Sequence, residues 1–158
     1  MATEIERKFK VLPEHLPVLK DGCSMKQGYL QEEPQIRFRS IKDKVIIGIK
    51  LFHPNGSRFE LETEKRFPSE EEISVLCSLT KGRIVEKTRY TIPHEGLNWE
   101  IDVYEGENEG LITAEVELPD LEWNINFPSW IDQEGELTSD YRYANISLAQ
   151  NPYCYWSC

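Results

Sequence analysis

Charged residues of like sign recur at every second position in a series of short segments, and this pattern constrains the fold most strongly. The clearest segments are EIERKF at 4–9, QIRFR at 35–39, VEKTRY at 85–90, WEIDVY at 99–104 and AEVEL at 114–118. A period of two residues is that of a β-strand, whose successive side chains point to opposite faces of the sheet. The chain is therefore predicted to consist mainly of strands with one charged face and one apolar face.

Eight segments have strand character, and turn residues separate several of them. The segments span approximately residues 3–11, 25–31, 35–40, 44–51, 58–66, 82–92, 97–104 and 112–119. The stretches HPNGS at 53–57 and GENEG at 106–110 carry the Asn and Gly residues of tight turns. Eight strands with short connections predict an antiparallel sheet that can close into a barrel.

Three helices are predicted, at residues 13–20, 69–80 and 138–150. The second is the best defined, because Ser69 and Glu72 have the spacing of a capping box at its start. The region 121–136 is rich in Trp, Asn and Pro and is predicted to be a loop with at most one helical turn. The fold class is therefore mainly β with a few flanking helices.

Length and charge limit the classes of protein that fit. The 158 residues are predicted to form one domain over 1–150 with a short tail over 151–158. A net charge of -10 argues against a nucleic-acid surface, which is usually basic. No apolar run approaches the roughly 20 residues of a membrane helix, and neither a secretory signal nor a CxxC metal motif is visible. A cytoplasmic protein with free thiols is expected, although Cys154 and Cys158 in the tail could also pair.

The charge alternation has two explanations. An antiparallel sheet with one packed and one solvated face produces the same pattern. However, like charges about 7 Å apart repel each other unless a counter-ion intervenes, and few neutral polar residues dilute these segments. A closed barrel could hold the charged face inside, where bases would bind a multiply charged anion and carboxylates would bind divalent cations. Bases, carboxylates and a metal together describe a triphosphate site.

Several motifs in collinear order resemble one known family. Glu4, Glu6 and Lys8 form an ExExK motif at the N-terminus. Eight further matches follow along the chain: QGYL at 27–30, RFR at 37–39, the strand with Lys50, SRFELE at 57–62, EKTRY at 86–90, WEIDVY at 99–104, AEVEL at 114–118 and the D-x-R-Y-x-N pattern at 140–145. In these residues the chain resembles the CYTH family, or triphosphate tunnel metalloenzymes, and most closely its short bacterial inorganic tripolyphosphatases. The resemblance runs from Thr3 to about Ala149.

The resemblance implies an eight-stranded antiparallel barrel that forms a tunnel around triphosphate, with Mg²⁺ or Mn²⁺ as cofactor. The implied phosphate-binding residues are Lys8, Arg37, Arg39, Lys50, Arg58, Lys87, Arg89 and Arg142. The implied metal ligands are Glu4, Glu6, Asp102, Glu115 and Glu117, with Glu60, Glu62 and Glu100 as secondary candidates. Glu4, Glu6 and Lys8 would form the catalytic group, and the protein would act as a monomer or a homodimer.

One segment departs from the family pattern. Short bacterial relatives carry lysines near the C-terminal RYxN segment, whereas this chain has Tyr141, Ala144 and Ile146 there. Arg142 is the only base left in that predicted helix. Either Arg142 covers that end of the tunnel, or one phosphate contact is missing.

The expected activity is metal-dependent hydrolysis of inorganic triphosphate to phosphate and diphosphate. Class IV adenylyl cyclase and thiamine triphosphatase are alternatives within the same family. A non-catalytic polyphosphate-binding module is an alternative of another class. Such a module would keep the bases and lose the metal carboxylates, but the carboxylates are present here.

Overall fold

A computed structural model describes residues 5–54 and 58–156. For Arg58 it describes the backbone only. Nine strands carry the fold: β1 (Ile5–Val11), β2 (Cys23–Gln31), β3 (Gln35–Ile41), β4 (Lys44–Phe52), β5 (Arg58–Arg66), β6 (Ile84–His94), β7 (Leu97–Tyr104), β8 (Ile112–Leu118) and β9 (Ile131–Glu136). The helices are α1 (Glu70–Leu79) and α2 (Asn145–Gln150). Short 3-10 turns lie at Pro13–His15, Gly106–Asn108, Tyr141–Tyr143 and Tyr153–Tyr155.

The strands form one antiparallel sheet in the order β5-β4-β3-β2-β6-β7-β8-β1-β9. The eight predicted strands and the mainly β, antiparallel fold are confirmed. The predicted number of strands was one too low. A ninth strand, β9, lies in the region that was predicted to be a loop, and it pairs with β1. In the described part of the chain, strand pairing does not close the sheet, because β5 and β9 are its two edges.

The apolar face of β1, β7 and β8 carries the larger core. Phe9, Trp99 and Val116 are almost completely buried there, together with Trp130 from the segment that precedes β9. The rings of Trp99 and Trp130 meet edge to face with centroids 5.8 Å apart, a favoured aromatic geometry. The segment between β8 and β9 thus covers the apolar face and leaves the opposite face of these strands for polar side chains.

A second apolar cluster lies under the C-terminal segment. Ile146 and Leu148 of α2 pack with Val85 and Tyr104 of the sheet. Tyr143 packs against Trp156 edge to face, with ring centroids 5.0 Å apart. Val85 and Tyr104 belong to the charged side of β6 and β7, so α2 covers one end of that side.

The helix predictions differ in outcome. The capping box of α1 is confirmed: the Ser69 hydroxyl accepts from the Glu72 amide, and the Glu72 carboxylate accepts from the Ser69 amide. The helix predicted over 13–20 is wrong beyond Pro13–His15. The helix predicted over 138–150 is a 3-10 turn followed by the short α2, because the chain is extended at Ala144 between them.

Two further expectations concern thiols and membrane segments. Cys23, Cys77 and Cys154 are free thiols, and Cys158 lies outside the described residues. The turn HPNGS lies partly outside them as well, although Phe52 and Arg58 on its two sides are paired in the sheet. In the described ranges, no helix has the length and apolar character to cross a membrane.

Candidate functional site

The cross-strand register places the predicted charges on one side of the sheet, here called the charged face. Glu6 lies opposite Glu117, and Lys8 lies opposite Glu115. The same face continues through the neighbouring strands by the pairs Glu100–Glu115, Arg89–Asp102, Gln27–Arg39, Tyr29–Arg37, Gln35–Lys50 and Lys50–Glu60. Arg7, of opposite phase on β1, pairs with Glu136 and lies over the Phe9 ring, as expected for the other face.

Four bases on the charged face lie close enough to repel one another. The side chains of Arg37, Lys87 and Arg89 are 14%, 0% and 19% exposed. Burial lowers the pKa of Arg39, and the charges of Arg37 and Arg89 lower it further. Burial also lowers the pKa of Lys87 to about 8, although the charge of Asp102 opposes this change. A group of partly buried, mutually repelling bases is suited to a multiply charged anion.

Asp102 lies between two of these bases. Its Oδ1 accepts from Arg89 Nε at 2.7 Å, and its Oδ2 accepts from Arg89 Nη2 at 2.9 Å and from Lys87 Nζ at 2.8 Å. Burial by itself would raise the pKa of Asp102, but the charge of Lys87 and the hydrogen bonds from Arg89 hold it far below its usual value. Arg89 Nη1 also pairs with Glu100 at 2.5 Å. The position predicted for a metal ligand is therefore occupied by a carboxylate that holds two bases.

The acidic part of the charged face lies where β1 meets β8. The carboxyl groups of Glu6 and Glu115 are in hydrogen-bonding contact. Burial would raise the pKa of Glu115, but the contact with Glu6 and the charge of Lys8 hold it below its usual value. Two carboxyl groups in contact are stable when a proton or a cation lies between them. This pair is the part of the charged face that is best suited to a cation.

Lys8 joins the acidic part to the C-terminal segment. Its Nζ lies 3.9 Å from Glu115 Oε2 and donates to the backbone carbonyl of Tyr143 at 3.1 Å. These residues line a cavity of about 200 Å³ together with Glu6 and Tyr141.

A larger cavity of about 800 Å³ adjoins it over Glu136, Asp140, Tyr141 and Arg142. The charged groups of this larger cavity are paired with one another or with Arg7. In the smaller cavity, by contrast, Lys8 lies beside the carboxyl group of Glu115.

The donor set fits a hard divalent cation only in part. In residues 5–54 and 58–156, no three acidic, His or Cys side chains meet in a group that could hold a metal ion. Glu4, which the sequence places two residues before Glu6 on the same strand face, lies outside the described residues. The Glu6–Glu115 contact supplies carboxylate oxygens, the ligands that Mg²⁺ and Mn²⁺ prefer. Glu117 is opposite Glu6 in the register and lies on the same face.

The other predicted site residues lie on β5 and on the 3-10 turn Tyr141–Tyr143. Arg142 pairs with Asp140 at 2.6 Å, lies 5.3 Å from the centre of the Trp156 ring and has a side chain that is 66% exposed. The Arg58 side chain lies outside the described residues. Two carboxylates of β5 lie beside bases of the charged face: Glu60 is 3.7 Å from Lys50, and Glu62 is 3.9 Å from Arg37.

Neutral polar residues complete the site, and charge patterning did not identify them. Gln27 accepts from Arg39 Nε at 3.2 Å and donates to the Tyr29 hydroxyl at 2.8 Å. The Asn145 side-chain oxygen accepts from Tyr104 at 2.9 Å and from Lys87 at 3.4 Å. Gln27, Tyr29 and Asn145 all lie in the motifs QGYL and D-x-R-Y-x-N, which were the signal that could have identified them.

Comparisons with known proteins identify relatives along nearly the whole chain. An inorganic triphosphatase of Acetivibrio thermocellus is 39% identical over 155 residues, which cover 97% of this chain and 97% of the relative. An inorganic triphosphatase of Nitrosomonas europaea is 33% identical and covers 93% of this chain, with 97% of its own length aligned.

A solved structure of an inorganic triphosphatase has a TM-score of 0.69 and 30% identity, and the match covers 94% of this chain and 95% of that chain. No protein-family model matches the sequence. Two full-length relatives above 30% identity and a solved structure with the same fold agree on the family. The chain therefore belongs to the inorganic triphosphatase family.

Proposed function

We propose that this protein hydrolyses inorganic triphosphate to phosphate and diphosphate on the charged face, with Mg²⁺ or Mn²⁺ as cofactor. The observation that carries the proposal is the cluster of partly buried, mutually repelling bases next to the Glu6–Glu115 carboxyl pair. Relatives named inorganic triphosphatase, at 39% and 33% identity, support the same substrate. Phosphoryl transfer depends mainly on positioning and charge stabilisation, which such a face can supply without a nucleophilic side chain.

The bases are proposed to bind the phosphate oxygens. Arg37, Arg39 and Arg89 offer planar forks that match phosphate geometry, whereas Lys50 and Lys87 act as point charges. Each of these bases now has a carboxylate or amide partner on the same face. A bound triphosphate would add its own negative charge to this network and relieve the repulsion between bases.

The acidic part is proposed to carry the reaction. Glu6, Glu115 and Glu117, with Glu4, would hold the divalent cation, which supplies charge neutralisation at the phosphate oxygens. Lys8 would bind the terminal phosphate, since its ammonium lies in the cavity beside Glu115. Glu6 would orient a water molecule and accept its proton while the oxygen attacks the terminal phosphorus. The bond from that phosphorus to the bridging oxygen then breaks, and diphosphate leaves.

A substrate panel tests the proposed activity. Purified protein is assayed for phosphate release from triphosphate, ATP, thiamine triphosphate and diphosphate, with Mg²⁺, with Mn²⁺ and with EDTA. We expect the fastest release from triphosphate and none with EDTA. Faster turnover of thiamine triphosphate, or conversion of ATP to cyclic AMP, would overturn the substrate. Undiminished release with EDTA would overturn the metal requirement, and tight triphosphate binding without release would identify a binding module.

A pair of glutamate variants tests the placement of the reaction. Glu6→Gln removes a carboxylate from the charged face, whereas Glu86→Gln removes one that pairs with Lys26 on the other side of the sheet. We expect Glu6→Gln to lower kcat at least about a hundredfold, on the scale of a lost acid-base or electrostatic group. Glu86→Gln should retain the wild-type rate. Equal effects of the two substitutions would contradict the placement.

We further propose that the enzyme works in the reducing cytoplasm as a monomer or a homodimer. Free thiols at Cys23, Cys77 and Cys154 support a reducing compartment. Size-exclusion chromatography with light scattering measures the oligomeric state, and a larger assembly would contradict this proposal.

A further inference from the structure

We propose that Asp102 is a positioning residue for Lys87 and Arg89 and takes no part in binding metal. The resemblance of the WEIDVY segment to the family implies the opposite role, a metal ligand. This inference rests on the proposed triphosphatase function, because its consequence is an effect on triphosphate binding. Four observations on the described residues support it.

The first observation is that the oxygens of Asp102 are already occupied. Three N–H groups of Lys87 and Arg89 lie within 2.9 Å of them, with Oδ2 shared between both bases. Arg89 binds the carboxylate through two nitrogens, Nε and Nη2, which fixes the orientation of both groups. A metal ion at Asp102 would have to displace two positively charged donors.

The second observation is burial. The Asp102 side chain is 3% exposed, and that of Lys87 is not exposed at all. By contrast, the Glu115 side chain is 21% exposed and its nearest base, Lys8, lies at 3.9 Å, beyond hydrogen-bonding distance. Glu115 can therefore accept a cation from the cavity without losing a short ion pair, whereas Asp102 cannot.

The third observation is the local charge. A divalent cation next to Asp102 would also lie next to the ammonium of Lys87 and the guanidinium of Arg89. Like charges at hydrogen-bonding separation repel strongly where water is excluded. The same two bases favour a carboxylate at this position and disfavour a metal ion.

The fourth observation is the relation between the two bases. Lys87 and Arg89 are two residues apart on β6, so their side chains share a face about 7 Å apart at strand spacing. Asp102 lies opposite Arg89 in the register and bridges the pair. Without the charge of Asp102, the buried side chains of Lys87 and Arg89 would repel each other and would no longer be held in one orientation. Triphosphate would then bind to two bases that are less well ordered.

Two binding measurements on the metal-free and substrate-free protein separate the roles. Triphosphate affinity is measured by calorimetry in EDTA, and Mn²⁺ affinity is measured by electron paramagnetic resonance without triphosphate. For Asp102→Asn we expect triphosphate to bind at least about tenfold more weakly, equivalent to about 1.4 kcal/mol. We expect Mn²⁺ affinity to stay within about twofold of the wild type, a change of under 1 kcal/mol.

Glu115→Gln is the matched control, because it removes one carboxylate charge from the same face. It should weaken Mn²⁺ binding at least about tenfold. The inference is overturned if Asp102→Asn weakens Mn²⁺ binding as Glu115→Gln does while triphosphate affinity in EDTA is unchanged. A kinetic counterpart is a raised KM for triphosphate in Asp102→Asn, with the Mg²⁺ concentration for half-maximal activity unchanged.

A measurement on the unmutated protein keeps the inference testable if Asp102→Asn does not fold. Carbon-13 spectra of the side-chain carboxyl groups are followed while Mg²⁺ is added. The signals of Glu6 and Glu115 should shift, and that of Asp102 should stay in place; a shift of the Asp102 signal as large as that of Glu115 would overturn the inference. None of these measurements needs turnover, so a protein that binds triphosphate without hydrolysing it would refute the proposed function alone.

Discussion

Lys87 and Asp102 lie on adjacent strands, with Lys87 Nζ 2.8 Å from Asp102 Oδ2 and almost no solvent at either side chain. The pair lies in the middle of the charged face, where Arg89 adds a second base. Burial outweighs the attraction of Asp102 and lowers the pKa of Lys87 from its usual 10.5 to about 8. The central base of the proposed triphosphate site thus changes charge near physiological pH.

Triphosphate affinity is expected to fall as the pH rises through about 8, because phosphate oxygens favour the charged form of Lys87. Calorimetry in EDTA between pH 7 and pH 9.5, compared with Lys87→Met, isolates this effect from the titration of triphosphate itself. The variant should bind more weakly and lack the part of the pH dependence that Lys87 causes. Identical pH profiles would contradict the assignment.

The same pKa change has an expected effect on stability. Lys87 titrates at a lower pH in the folded protein, so the unfolded chain binds more protons between about pH 8 and pH 10.5. The contribution of Lys87 to the free energy of unfolding therefore increases with pH across this window. Urea unfolding of the wild type and Lys87→Met at both ends of the window measures the difference, and a decrease on raising the pH would contradict the burial of this amine.

Neighbouring residues of β1 should separate activity from stability. Phe9 is fully buried in the apolar core, and Phe9→Ala should cost about 3–5 kcal/mol in urea unfolding. Lys8 points to the cavity, and Lys8→Met should lower the triphosphatase rate at least about tenfold while the free energy of unfolding changes by less than about 1 kcal/mol. The opposite pattern would mean that the two faces of β1 have been exchanged.

Arg142→Ala should lower triphosphatase activity by less than about threefold, on the scale of an exposed ion pair. The reason is that Arg142 pairs with Asp140 and lies over Trp156, and its side chain is 66% exposed. Steady-state kinetics check this expectation. If Arg142→Ala raised KM as much as Arg37→Gln does, Arg142 would be a phosphate-binding residue after all.

Ser69→Ala should destabilise the protein by about 1 kcal/mol, because it removes the side-chain half of the capping box that begins α1. The kinetic constants should not change, since α1 contributes no residue to the charged face. Urea unfolding and a triphosphate assay on the same sample measure both properties. Lower kcat at unchanged stability would contradict the separation of α1 from the site.

The strands could be predicted from the sequence because each carries its own alternation. The strand β9 could not be predicted in this way, because its sequence, IDQEGE, has only one apolar residue and contains a glycine. Its pairing with β1 is also a long-range contact. The predicted helix at 13–20 contains a second proline, Pro17, and prolines disfavour a continuing helix. Local pattern was therefore sufficient where an element is amphipathic and insufficient where tertiary pairing decides.

The site could be predicted as a set of charges on one face but not as a network. Alternation assigns Asp102 and Glu115 to the same face without saying which partner each one meets. That depends on the register, which places Asp102 opposite Arg89 and Glu115 opposite Lys8. Neutral residues such as Gln27 and Asn145 do not contribute to a charge pattern, although they accept hydrogen bonds from Arg39 and Lys87.

The central claim is that the charged face of the sheet carries metal-dependent triphosphate hydrolysis. Two bases on opposite faces test it most directly: Arg39, in the base cluster, and Lys26, paired with Glu86 on the other side of the sheet. Phosphate release from triphosphate with Mg²⁺ is measured for the wild type, Arg39→Gln and Lys26→Gln. We predict that kcat/KM falls at least about a hundredfold for Arg39→Gln and stays within about threefold of the wild type for Lys26→Gln. Equal losses for both variants, or full activity of Arg39→Gln, would contradict the account.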